Sequence, residues 1–144
     1  MKRLPILLFS VLLSFAAFAE NSTQTNGYTI HHNALTTDTL SPQVASAYGI
    51  QRSRNRGMVN ISVIRDEPGT TGTPVSAEVE LVARNLLGQE RDIPLREVRE
   101  ETAIYYIADF PVSNREQLVF KIEALPEGGA YALHATFQQE FFTD

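Results

Sequence analysis

The stretch from Val75 to Arg84 reads VSAEVELVAR, and each of its odd-numbered residues is apolar. Successive side chains of a strand point to opposite faces of a sheet, so this period of two predicts a strand with one buried and one wet face. The same period recurs in residues 59–63, 118–123 and 131–137. Residues 102–110 are apolar on both faces, which is typical of a central strand.

Turn signals separate these segments. Asp66–Pro74 contains two Gly and two Pro, Asn85–Gln89 reads NLLGQ, and Pro126–Gly129 reads PEGG. Ile93 and Leu95 indicate a weaker strand that Pro94 interrupts, as in an edge strand. About seven strands with turns at short intervals predict an all-β fold, an antiparallel two-sheet sandwich of immunoglobulin-like architecture, with a barrel as the alternative.

One short helix is predicted at residues 42–48. Ser41 suits the N-cap, Pro42 suits the first helical position, and Gly49 suits the residue that ends the helix. A helix of about two turns is not stable alone. We therefore expect it to pack on the sheets.

The predicted core follows the apolar face of each strand. Truncation of a large member such as Phe120 is expected to be strongly destabilising. The predicted core residues are Val59, Ile61, Val63, Val79, Leu81, Ile104, Tyr106, Phe120, Ile122, Leu133 and Phe137.

The N-terminus has the layout of a secretory signal. Lys2 and Arg3 precede an apolar run from Leu4 to Phe18, and small residues end at Ala19. This layout predicts cleavage after Ala19, and the run is too short for a membrane-spanning helix, which needs about 20 apolar residues. We therefore expect export to the periplasm, with no membrane span after cleavage.

The predicted organisation has three parts. Residues 1–19 are a cleavable signal peptide, residues 20–27 a polar and flexible N-terminus, and residues 28–144 a single β-sandwich domain. A domain of this size can form a sufficient core without disulfides. The chain has no cysteine, which also excludes a thiol nucleophile, a thiolate metal site and a lipid-modified cysteine.

The charge balance argues against nucleic-acid binding. The full chain has a net charge of −5, and loss of Lys2 and Arg3 leaves 10 basic against 17 acidic residues. A nucleic-acid binder is expected to carry a basic face and a high isoelectric point. We therefore expect no nucleic-acid partner, and the expected partner is an unidentified periplasmic protein or, at the arginine segment described below, a small anionic ligand.

No catalytic signature emerges from the sequence. It lacks a Gly-x-Ser-x-Gly nucleophile elbow, a phosphate-binding Gly loop and a dinucleotide fingerprint. His31 and His32 are adjacent on a strand and should face opposite sides, although one of them could meet His134 and a carboxylate around a metal. Solvent-facing or core-edge histidines are the preferred interpretation, with no metal site and no cofactor.

Gln51–Gly57 reads QRSRNRG and is the candidate binding segment. Arg52, Arg54 and Arg56 share one side if this backbone is extended, and Tyr48 lies just before them. Guanidinium groups suit carboxylates and phosphates, so the four residues form a hypothetical site for an anionic group. The alternative, which we prefer, is that the arginines form structural salt bridges with acidic residues on nearby strands.

Leu40–Val63 reads LSPQVASAYGIQRSRNRGMVNISV. Together with NLLGQ at 85–89 and AIYYI at 103–107, this segment resembles a family of small exported proteins of Gram-negative bacteria, the domain of unknown function 4426 family. The resemblance covers nearly all of the chain after the signal. It implies a periplasmic location and a β-rich single domain, and it implies no activity.

The expected function is that of a non-catalytic periplasmic interaction or ligand-binding module. Two alternatives remain open. One is an envelope accessory or chaperone-like protein that pairs through a strand edge, and the other is a metal-dependent enzyme that uses its histidines.

Overall fold

The computed structural model describes residues 21–144, so the predicted signal peptide and its cleavage position lie outside the described residues. These residues form ten strands, one 3₁₀ turn at Thr37–Thr39 and one α-helix. The strands are β1 (Ser22–Thr25), β2 (Tyr28–Thr36), β3 (Arg56–Arg65), β4 (Thr73–Pro74), β5 (Ala77–Arg84), β6 (Glu90–Ile93), β7 (Arg96–Glu100), β8 (Ala103–Pro111), β9 (Glu116–Pro126) and β10 (Leu133–Phe141).

Two antiparallel sheets face each other, which confirms the predicted sandwich. The larger sheet has the order β1-β2-β3-β8-β7, with the two-residue β4 paired to β3, and the smaller has the order β10-β9-β5-β6. No helix within residues 21–144 has the length and apolar character needed to cross a membrane.

The helix, α1, spans Pro42–Tyr48 as predicted. The Ser41 hydroxyl accepts a hydrogen bond from the Val44 N–H, and Gly49 ends the helix in the left-handed region at φ 65°. Behind α1 lies a small apolar cluster, built on the outer face of the larger sheet around Ile50, Met58 and Ile107. The helix therefore covers one half of that face and leaves the other half open.

The prediction of a flexible segment at residues 20–27 was wrong for Ser22–Thr25, which form β1 and pair with β2. Asn26 and Gly27 connect the two strands with φ values of 49° and 81°. Asn-Gly is the preferred dipeptide of a two-residue hairpin turn, because both of its positions require positive φ.

The weak edge strand predicted around Pro94 is two strands, each at the edge of its sheet, so the edge position is confirmed and the single strand was wrong. Glu90–Ile93 belong to the smaller sheet and Arg96–Glu100 to the larger one, so the chain changes sheet at Pro94 and Leu95. Proline lacks the N–H that would continue the ladder. It therefore ends β6, and the chain then crosses to the larger sheet.

The main core lies between the sheets and contains every predicted core residue. Val79 and Phe137 are only partly buried, and the other nine are buried. At its centre Phe120 is fully buried, with its ring 5.8 Å from that of Phe110 and 4.9 Å from that of Phe137. Gly57 passes so close to this cluster that an added Cβ would lie 2.9 Å from the Phe110 and Phe141 rings.

Candidate functional site

The three arginines of the predicted anion site do not share one extended backbone. Residues 54–55 form a turn, and only Arg56 lies in β3. Arg52 donates hydrogen bonds to the backbone carbonyls of Leu40, at 2.7 Å, and Asp38, at 3.0 Å. Arg56 donates from Nε and Nη2 to Asp109 Oδ2, at 3.0 and 2.8 Å.

Two of the three guanidinium groups are thus bound within the protein. The Arg56–Asp109 pair is a structural salt bridge, as the preferred alternative for these residues predicts. Arg54 is exposed and forms no hydrogen bond or ion pair with residues 21–144. The anion site therefore remains a prediction, and it would depend chiefly on Arg54.

Tyr48 lies at the end of α1, against the apolar cluster beneath the helix. Its backbone carbonyl accepts a hydrogen bond from Arg96 of β7. Desolvation raises the pKa of the Tyr48 phenol, and the nearby Glu100 carboxylate raises it further. This tyrosine anchors the helix to the sheet.

A polar groove crosses the half of the larger sheet that α1 leaves open. Its outer part is a cavity of about 770 Å³, bounded by β1, β2 and the 66–72 loop. Its inner part is a cavity of about 330 Å³ that reaches Tyr105 of β8. The two parts are continuous at Asn21 and His31, which line both of them. The inner part is lined by Asn21, His31, His32, Asn33, Asn60, Ser62 and Tyr105.

Strand register places these polar side chains together. His31 of β2 lies opposite Ser22 of β1 and Ser62 of β3, and Asn33 lies opposite Asn60. Directly opposed residues of antiparallel strands project from the same face. The groove floor is therefore a set of neighbouring polar side chains, made of amides, hydroxyls and one imidazole.

Among these polar side chains, Asn60 has an unsatisfied hydrogen-bond acceptor. Its Oδ1 atom is shielded from solvent and has no hydrogen-bond partner among residues 21–144. A buried acceptor without a partner costs about 1–3 kcal/mol. Asparagine is also disfavoured in strands, so packing alone does not explain its presence at the centre of β3.

The two acidic groups at the groove rim have different partners, because Glu67 is paired with Arg65 and Asp66 forms no ion pair with residues 21–144. Asp66 accepts a hydrogen bond of 2.6 Å from the Thr29 hydroxyl. The Thr73 hydroxyl, and secondarily Arg65, lower the pKa of Glu67. The groove floor therefore offers hydrogen bonds, and the unpaired Asp66 carboxylate at the rim disfavours an anionic ligand.

The histidines lie on opposite faces, as predicted. His31 is exposed in the groove, whereas His32 is buried between the sheets, where its ring stacks on Phe137 at 4.4 Å. Within residues 21–144, no three side chains of the types His, Cys, Asp and Glu converge as metal ligands.

His32 predicts a pH dependence of stability. Burial lowers its pKa, and His31 lowers it further. The folded protein thus holds a proton on His32 less readily than the unfolded chain, so the free energy of unfolding should fall as pH drops below about 6.5. Denaturant titrations at about pH 7.5 and 5.5 should show this loss in the wild type and less of it in His32→Phe. An unchanged loss in His32→Phe would contradict the assignment, and His134→Gln, on an exposed strand face, serves as the control.

The domain of unknown function 4426 (DUF4426) family model matches residues 22–144. The chain belongs to this family. A crystal structure of a DUF4426 family protein from Pseudomonas aeruginosa PAO1 is 36% identical, with a TM-score of 0.70. The match covers 85% of this chain and 94% of that one. No curated protein sequence matches the chain significantly.

FetP of uropathogenic Escherichia coli strain F11 shares the fold at 8% identity. One FetP structure has a TM-score of 0.60 and covers 84% of this chain and 92% of its own. A copper-bound FetP variant has a TM-score of 0.59 and covers 85% and 95%. At this identity the likeness concerns the fold alone.

The groove was not predicted from the sequence. The sequence did contain one indication of it. Asn60 and Ser62 alternate with the buried apolar residues of β3, so both side chains had to project from the outer face of the sheet. The partners of that row on β2 could not be assigned, because register depends on pairings between distant strands.

Proposed function

We propose that this DUF4426 protein is an exported, non-catalytic binding module whose ligand occupies the polar groove. The observation that carries this proposal is the buried, unpartnered Oδ1 of Asn60 on the groove floor. Rotation of the Asn60 side chain toward the groove would let a ligand donate a hydrogen bond to this atom, which would remove the cost of leaving it unsatisfied.

The chemistry of the groove favours an uncharged ligand with several hydroxyl or amide groups, such as a saccharide. Each side-chain amide offers two donors and a carbonyl acceptor, and each serine hydroxyl both donates and accepts. Asn21, Asn33 and Asn60 lie beside Ser62 in the inner part. Tyr105 adds a partly exposed aromatic ring at the edge, a common contributor to recognition sites.

The groove is a better candidate than the arginine segment. Arg52 and Arg56 are held by Leu40, Asp38 and Asp109, and an anionic ligand would have to compete with those contacts. An anion at Arg54 alone would be held by one exposed charge, which contributes little.

Copper binding is not part of the proposal. The copper-bound FetP variant shares only the fold with this chain. His31 and His32 project from opposite faces of β2, so the two rings cannot approach one ion.

Asn60→Ala tests the proposal against Gln138→Ala, which removes an exposed amide from the other sheet. Thermal unfolding is measured with N-acetylglucosamine trimer, maltotriose, inorganic phosphate and no addition. We expect one of the saccharides to raise the melting temperature of the wild type and Gln138→Ala but not of Asn60→Ala. The unliganded Asn60→Ala should be no less stable than the wild type, because an unsatisfied acceptor is lost.

Stabilisation by phosphate alone, lost on Arg54→Gln, would contradict the groove and support the anion site. If a saccharide raised the melting temperatures of the wild type and Asn60→Ala equally, its binding site would lie outside the groove.

A second candidate function rests on β10, a nine-residue edge of the smaller sheet. Edge strands are commonly protected by Lys, Pro or short length, and β10 has none of these. Such an edge could pair with an extended segment of another protein. Capture of a periplasmic protein by the wild type but not by Thr136→Lys would favour this function.

A further inference from the structure

The hairpin turn between β5 and β6 presents two leucines to solvent. Leu86 is 74% exposed and Leu87 84%, and no other pair of adjacent large apolar residues within 21–144 is so exposed. Single exposed leucines are ordinary, whereas an adjacent pair at a protruding tip forms an apolar contact surface.

The turn that carries them is well ordered by its own hydrogen bonds. Asn85 Oδ1 accepts hydrogen bonds of 3.0 Å from the N–H groups of both Leu87 and Gln89. The Gly88 N–H donates to the Asn85 carbonyl at 3.1 Å, and the Asn85 N–H donates to the Gln89 carbonyl at 3.0 Å. Gly88 supplies the positive φ of 81° that closes the turn.

These bonds lower the cost of moving the tip out of water. In the hydrocarbon core of a bilayer, each backbone N–H without a hydrogen-bond partner costs several kcal/mol. The N–H groups of Leu87, Gly88 and Gln89 are all satisfied within the turn. Burial of the leucines therefore carries no such cost at these three positions.

The nearby charges complement a lipid headgroup. The Arg84 guanidinium approaches Gly88, with Nη2 at 3.7 Å from the position of an added Cβ, and forms no ion pair with residues 21–144. Lys121 and Arg91 at the same end are paired with Glu90 and Glu116. The Arg84 guanidinium is therefore available to bind the phosphate of a lipid headgroup beside the apolar tip.

We infer that this tip, Arg84 with Leu86 and Leu87, is a membrane-surface contact that inserts its leucines among the acyl chains of an anionic bilayer. Leucine is under-represented in the hot spots of protein interfaces, whereas lipid contact scales with buried apolar area and with attraction to anionic headgroups. Two leucines and one cation give a weak and reversible association. The inference is independent of the ligand in the groove.

Tryptophan fluorescence tests this inference, because the chain contains no tryptophan. Leu87→Trp places a single indole at the tip. Tyr131→Trp is the matched control, since Tyr131 is 74% exposed and Leu87 is 84% exposed. Both variants, in the chain from Glu20 to Asp144, are titrated with vesicles of phosphatidylethanolamine and phosphatidylglycerol.

We expect a blue shift of the emission of Leu87→Trp and none for Tyr131→Trp. Arg84→Gln in the Leu87→Trp background should weaken partitioning about fivefold, the effect of one cation near an anionic surface. No shift at Leu87→Trp, or equal shifts at both positions, would overturn the inference. Capture of a periplasmic protein by the wild type but not by Leu86→Ser/Leu87→Ser, without a vesicle response, would assign the tip to a protein partner instead.

Discussion

Phe120→Ala is expected to lower the free energy of unfolding by about 3–5 kcal/mol. Phe120 is fully buried, and its ring lies against those of Phe110 from β8 and of Phe137 and Phe141 from β10. Truncation removes the apolar area and leaves a cavity that three rigid rings cannot fill. Urea denaturation followed by far-ultraviolet circular dichroism measures the change.

Phe142→Ala is the matched control, because Phe142 is 59% exposed. Its effect should fall within about 0.5 kcal/mol of the wild type, as is usual for surface substitutions. A loss below about 1 kcal/mol for Phe120→Ala would mean that Phe120 is not at the centre of the core.

Thr37→Val is expected to lower the free energy of unfolding by about 2–4 kcal/mol. Thr37 is fully buried at the start of the 3₁₀ turn. Its hydroxyl accepts a hydrogen bond of 2.8 Å from the Ser53 N–H and lies 2.8 Å from the Gln51 carbonyl, to which it donates. Valine has nearly the same shape but leaves the Ser53 N–H and the Gln51 carbonyl without this partner in a part-buried position.

Thr39→Val separates this effect from a general effect of β-branched residues in the 3₁₀ turn. Thr39 is exposed and donates one hydrogen bond, to the Thr36 carbonyl. We expect a change within about 0.5 kcal/mol there. If Thr37→Val were equally mild, the loop of residues 51–53 would not be held by Thr37.

Local signals were sufficient to predict the helix and most of the core. Ser41, Pro42 and Gly49 act on the helix through their own backbone preferences, which neighbours in space do not alter. The apolar rows of β3, β5 and β9 follow from the period of two. The hairpin of β1 and β2 had an equally local signal in Asn26-Gly27, but the polar composition of β1 concealed it.

The candidate site depended on information that is not local. Asn60 and Asn33 are neighbours only because β2 and β3 pair in one register, and α1 leaves their half of the sheet open. The arginine segment was selected for its spacing in an extended chain. The structure turns the backbone at residues 54–55 and gives Arg52 and Arg56 partners from distant segments.

The central claim is that the groove, rather than the arginine segment, binds the ligand. A ¹⁵N NMR titration of the chain from Glu20 to Asp144 with N-acetylglucosamine trimer, maltotriose and then inorganic phosphate tests it most directly. The account predicts saccharide-dependent shifts of the backbone amides of His31, Asn33, Asn60 and Ser62, with residues 51–56 unchanged. Shifts confined to residues 51–56 on addition of phosphate, with the groove amides unmoved by either saccharide, would contradict it.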